Sequence, residues 1–214
     1  MPVSTKAAAR DPEPRWPAFV AMCADAMIHY ALPDRFSVGP RWGLFAVTFI
    51  LLVPIIFSHR SGRLNVARIL TLTVIAVLGL SLITSLALLI AGLPSHKDPP
   101  ATLLTSAALL WITNILVFAL LYWKLDAGGP VGREQGKTRS SFLFPQMMKE
   151  LADSGPPWSP EFVDYLFLAF NTSTAFSPTD TAVLSRWAKA GMMLQSILSL
   201  SIIALLAARA INVL

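Results

Sequence analysis

One cysteine, three histidines and little charge bound what this chain of 214 residues can be. Cys23 stands alone, which excludes an intrachain disulfide and reads as a small buried apolar residue. His29, His59 and His96 fall on separate segments with no cysteine or carboxylate at ligand spacing, so no metal site is expected. There is no phosphate-cradling glycine loop, no G-x-S-x-G and no H-E-x-x-H. Neither a cofactor nor enzyme chemistry is therefore expected. Only 14% of residues are charged, against about a quarter in a soluble domain. The net charge of +5 does not imply nucleic acid, because the basic residues sit in short loops between apolar runs. That is how charges orient a membrane protein. Residues 1–16 are polar, carry three prolines and lack the apolar core of a signal peptide, so they read as a disordered cytoplasmic tail.

What the chain does have is apolar sequence, at 55% of all residues. Five long runs stand out: Pro17–Pro33, Trp42–Ser58, Ile69–Leu93, Ala101–Trp123 and Arg186–Leu214. A shorter apolar stretch covers Glu161–Phe170. The expected fold is an all-α integral membrane protein with five transmembrane helices plus a re-entrant or sixth segment, its main partner the lipid bilayer. It divides into the tail (1–16), a four-helix membrane bundle (17–125), a polar loop with an amphipathic surface helix near 140–151 (126–160) and a C-terminal module (161–214). Pro54 is expected to kink the second run, and Tyr122 and Trp123 to close the fourth as interfacial aromatics. Ser159 and Pro160 read as the N-cap and first position of the helix after the loop.

Orientation follows from Lys and Arg. If Pro17–Pro33 spans and the tail is cytoplasmic, Lys6, Arg10, Arg15, Arg60, Arg63, Arg68, Lys124, Arg133, Lys137, Arg139 and Lys149 lie inside. Only Arg35, Arg41 and Lys97 lie outside before Trp158. Eleven against three fits the positive-inside rule, and omitting the first run reverses the later loops.

Polar residues inside apolar runs are the candidate functional groups. Asp25 and His29 lie i,i+4 on one face of the first run. They either turn into the bundle, with Asn114 or Gln195 as partners, or mark a polar face in the membrane interface. Asn114 reads as interhelical glue. In the last run Gly191, Gln195 and Ser199 recur at i, i+4 and i+8, and the stripe drifts on to Arg209. Such a stripe means close helix packing or a water-lined pore surface.

Between the short apolar stretch and the last run lies a hydroxyl-rich turn, Asn171–Thr181. Helix, polar turn and long helix is the order of a channel's pore module. Residues 162–212 resemble the pore module of prokaryotic potassium channels, with a degenerate filter. Thr172, Ser173, Thr174, Ala175, Phe176, Ser177, Pro178, Thr179 and Asp180 match the family's Thr-x-Thr-Thr-x-Gly-Tyr-Gly-Asp pattern at its first two threonines and its aspartate. The glycines are replaced by Ser177 and Thr179 and the tyrosine by Pro178. Pro178 fixes φ where glycine would aim successive carbonyls at the axis. The resemblance thus implies a weakly selective monovalent cation pore in a homo-oligomer, a tetramer first, or a closed pore-like fold. The alternative is a non-conducting membrane scaffold or a small-solute transporter, although no inverted repeat is visible. Most of the chain, through ALLYWKLDAGGP (119–130), FLFP (142–145) and VDYLFLAFNTSTAFSPTD (163–180), also resembles an uncharacterised bacterial family of multi-span membrane proteins. That resemblance implies the bacterial inner (plasma) membrane and no activity.

Overall fold

The computed structural model describes residues 13–37, 39–92, 99–136, 138–148, 158–174 and 181–210, with no side chains for 209–210. It is mostly helical. The helices are α1 (Trp16–Ala31), α2 (Arg41–Arg60), α3 (Leu64–Gly92), α4 (Pro100–Leu125), the short α5 (Pro130–Gln135), α6 (Phe162–Thr174) and α7 (Arg186–Ala210). Four of them, α2, α3, α4 and α7, are long and apolar enough to cross a membrane. α2 continues through Pro54.

Local chemistry sets the helix ends. Pro17 and Pro100 stand in the first turns of α1 and α4, where a missing N–H costs nothing. Gly62 takes φ +70° and closes the short turn between α2 and α3. α6 starts at Phe162, later than Ser159 and Pro160 suggest, and the Asp164 carboxylate accepts the Glu161 N–H at 2.7 Å. A carboxylate in the first turn satisfies one of the free amides there.

α4 is the hub, packed against α1, α3, α6 and α7. One core cluster joins Met22, Ile55, Leu78, Leu120, Tyr122, Phe142, Tyr165 and Leu168. It crosses the boundary drawn in the sequence between residues 17–125 and the C-terminal module. A second cluster of Leu32, Phe36, Leu86, Leu89, Leu103 and Ile202 closes the opposite end. The outer faces of α2 and α7 are exposed and apolar, at Ile50, Val53 and Phe57 and at Met193, Ile197 and Leu200. Large apolar faces without a protein neighbour are what lipid covers.

The polar loop departs from expectation. Residues 140–148 contain no surface helix; Phe142–Leu143 is strand β1, paired antiparallel with β2 (Ala182–Val183), followed by a short 3-10 turn at Pro145–Met147. Phe142 is wholly buried against Tyr122, Tyr165 and Trp187, and this packing outweighs the amphipathic pattern. The remainder, 149–151, lies outside the described residues.

Candidate functional site

A polar seam runs through the interface of α4, α6 and α7. Gln195 is 0% exposed. Its amide donates to the Ala169 carbonyl at 2.7 Å and the Ser173 hydroxyl at 2.8 Å, and its carbonyl accepts the Tyr122 hydroxyl at 2.7 Å. Asn114 donates to Ser173 and to the Gln195 main chain, both at 3.3 Å. Ser199 donates to the Ser173 carbonyl at 2.5 Å. A Cβ added at Gly191 would stand 3.3 Å from the Tyr122 ring. The Gly191–Gln195–Ser199 stripe is therefore closed against its own chain. Arg209's side chain lies outside the described residues.

The pairings also fix direction. Ala169 meets Gln195 and Ser173 meets Ser199, so α6 and α7 run the same way. Tyr165 near the start of α6 bonds Asp126, while Trp187 near the start of α7 bonds Ser141 at 3.0 Å. Both helices therefore begin at the end of the bundle capped by residues 126–148.

Of the filter-like turn, Thr172, Ser173 and Thr174 are the last turn of α6. The Thr172 and Thr174 hydroxyls donate to the carbonyls of Leu168 and Asn171. Hydroxyls that back-bond in this way need no further partner. Ala175, Phe176, Ser177, Pro178, Thr179 and Asp180 lie outside the described residues.

Asp25 and His29 are both buried on α1. His29 is hydrogen-bonded to Ser37 at 2.9 Å and Ser81 at 3.1 Å. Among the described residues neither carboxylate oxygen of Asp25 makes a hydrogen bond of normal geometry, and the Thr113 hydroxyl is the polar group beside it. The partners expected from the sequence, Asn114 and Gln195, are taken by Ser173, because α6 rather than α1 packs on that face of α4.

The sequence reading missed the cap on the basic end. Asp126, 0% exposed, accepts the Tyr165 hydroxyl at 2.7 Å, the Ser140 hydroxyl at 2.6 Å and the Ser141 N–H at 2.5 Å. The Arg133 guanidinium donates to both carboxylate oxygens of Glu13 and to the carbonyls of Trp123 and Asp126. It also stands 5.0 Å from the Tyr165 ring centroid. Trp123 donates its ring N–H to Glu13 at 2.5 Å. Tyr122 and Trp123 are thus buried cap and seam residues, not a lipid-facing belt. Burial pushes the Glu13 carboxyl above its ordinary value, while the Arg133 charge and the hydrogen bonds of Trp123 and Arg133 pull it back. Glu13, the described end of the polar tail, is docked. The tight turn before α5 makes the cap possible: a Cβ at Gly132 would lie 2.2 Å from the Ala127 carbonyl oxygen.

Among the described residues no group of three or more His, Cys, Asp or Glu could hold a metal ion. Comparison with protein-family models, curated proteins and solved structures finds no match.

Proposed function

We propose that the chain is a non-conducting multi-span membrane scaffold in which five helices cross the bilayer and α6 enters it as a re-entrant half-helix. α1, with 16 residues, is about 24 Å long and near the lower limit for a span. It leads from the capped end at Glu13 towards Leu32 and Phe36, which pack at the opposite end. α6, with 13 residues, reaches roughly 20 Å, short of a hydrocarbon core of about 30 Å. The observation that carries the reading is the seam: every polar group of the Gly191–Gln195–Ser199 face is satisfied within the chain. The exposed faces of α2 and α7 are left for lipid and for partner helices, of this chain or another. The basic loops would face the cytoplasm.

A weakly selective monovalent cation pore in a homo-oligomer is the second reading. α6 favours it, because its C-terminal carbonyl end, with Thr172 and Thr174, points into the bundle, and a helix C-terminus attracts cations. The test is ion flux in liposomes loaded with purified protein, with oligomeric state read by native mass. The scaffold reading expects no potassium or sodium flux above protein-free vesicles, in any oligomeric state. Flux that Asp180→Asn and Gln195→Leu lower while assembly is kept would replace it with the pore reading.

A further inference from the structure

A second feature at the basic end has no role in the seam or the cap. A cavity of about 330 Å³ opens between the end of α2, the start of α3, the end of α4 and α5. His59, Asn65, Arg68, Lys124 and Thr138 line it. Lys124 is the unusual member. It is only 8% exposed, and among the described residues it has no hydrogen-bond or ion-pair partner. Its ammonium stands 5.7 Å from the centroid of the Trp123 ring. The charges that reach it are Arg15, Arg68 and Arg133, all of its own sign.

The neighbouring cations divide into two kinds. Arg133 is paired with Glu13 at 2.8 Å, and Arg15 with Glu134 at 3.4 Å while also donating to His59 at 2.8 Å. Arg68 and Lys124 have no carboxylate within the described residues. Burying an ammonium without a partner is costly, and like charges beside it add to the cost. An anion in the cavity would remove both penalties, with Asn65 and Thr138 as neutral hydrogen-bonding groups.

We propose that this cavity binds a phosphate group through Lys124 and Arg68. Three membrane helices end or begin there, so the cavity lies at headgroup depth, where basic pockets between helices take anionic lipid. A phosphate in solution offers the same chemistry, so the experiment separates the two sources.

Full-length protein is placed in nanodiscs of phosphatidylcholine alone or with phosphatidylglycerol, and separately in detergent with inorganic phosphate. Thermal unfolding and lipid retained in native mass spectra are measured. Wild-type protein should be stabilised and should retain phosphatidylglycerol over phosphatidylcholine. Lys124→Met should lose most of that retention, about tenfold or more, as expected for a charge-assisted bond. It should also unfold at a higher temperature than wild type in phosphatidylcholine, because it no longer buries an unpaired charge. Arg68→Gln, an exposed position that folding does not need, should weaken retention as well. Arg41→Gln, whose ion pair with Asp34 stands at the other end, should leave it unchanged. A response to inorganic phosphate without one to phosphatidylglycerol assigns the site to a soluble anion. No response to either, or responses that Lys124→Met and Arg68→Gln leave intact, overturns the proposal.

Discussion

Replacing Gln195 by leucine separates a packed seam from a pore wall. The side chain makes three hydrogen bonds of 2.7–2.8 Å and is fully buried. Leucine fills a similar volume and makes none. The Ser173 hydroxyl keeps Asn114 as a donor at 3.3 Å. The Tyr122 hydroxyl, also buried, loses its acceptor. A buried donor left unsatisfied costs about 1–3 kcal/mol. The apolar gain of leucine offsets roughly 1 kcal/mol, and interhelical hydrogen bonds in membranes average about 0.6 kcal/mol with a maximum near 1.7. The expected net loss is about 1–2 kcal/mol.

A double-mutant cycle isolates the bond. Tyr122→Phe leaves the Gln195 carbonyl short of a donor and should cost about 1 kcal/mol. The pair Gln195→Leu with Tyr122→Phe removes donor and acceptor together, so its cost should fall short of the sum by about 1 kcal/mol. Equilibrium unfolding in mixed micelles measures all four states. Costs that add to within about 0.3 kcal/mol, or a Gln195→Leu protein as stable as wild type, would refute the seam. A pore wall predicts the other pattern, since a water-lined glutamine can become leucine with no loss of stability and a loss of flux.

Two further outcomes follow from the buried and basic ends. Asp25→Leu should leave stability unchanged or raise it in thermal unfolding, because a buried carboxyl with no hydrogen bond of normal geometry among the described residues is removed from the interior; a clear fall would show that Asp25 is paired. In a Cys23→Ser background, cysteines at the exposed positions Ser61 and Arg139 should resist a membrane-impermeant maleimide on intact cells and react after permeabilisation; labelling of intact cells reverses the orientation.

The long helices were legible because each rests on a run of apolar residues, and local pattern needs no partner to be read. α3 and α4 begin and end within a few residues of their runs. The stripe on α7 was also legible, since a period of four is local. Its partner was not. Ser173 sits in a run of Asn, Thr and Ser that favours a turn by propensity, yet Asn171–Thr174 is helical. Packing on α4 and α7 overrides that preference, as the bonds of Ser173 to Gln195, Asn114 and Ser199 show. Asp25 and His29 illustrate the same division. Their shared face follows from spacing, whereas Ser37 and Ser81 as the partners of His29 follow only from how the turn after α1 folds back and meets α3. The cap was hidden for a further reason. Glu13 and Arg133 are 120 residues apart, and each looks like an ordinary charge in a polar loop.

That pairing changes what the basic loops mean. Counting Lys and Arg treats every inside charge alike, which suffices for orientation. The folded chain sorts them. Arg133 has its charge met by Glu13 and two of its donors held by carbonyls at the end of α4, so it serves the cap and offers little to a ligand. Arg15 is occupied by Glu134 and His59. Lys124 and Arg68 have the same charge and the same location but no such partners among the described residues, and they face a cavity. The net charge of +5 could be met by diffuse counterions anywhere on the surface. The Lys124 ammonium is reached only through the cavity it lines, since the rest of its side chain is covered. An anion that enters the cavity would answer Lys124 and so steady the end of α4 on which the cap is built.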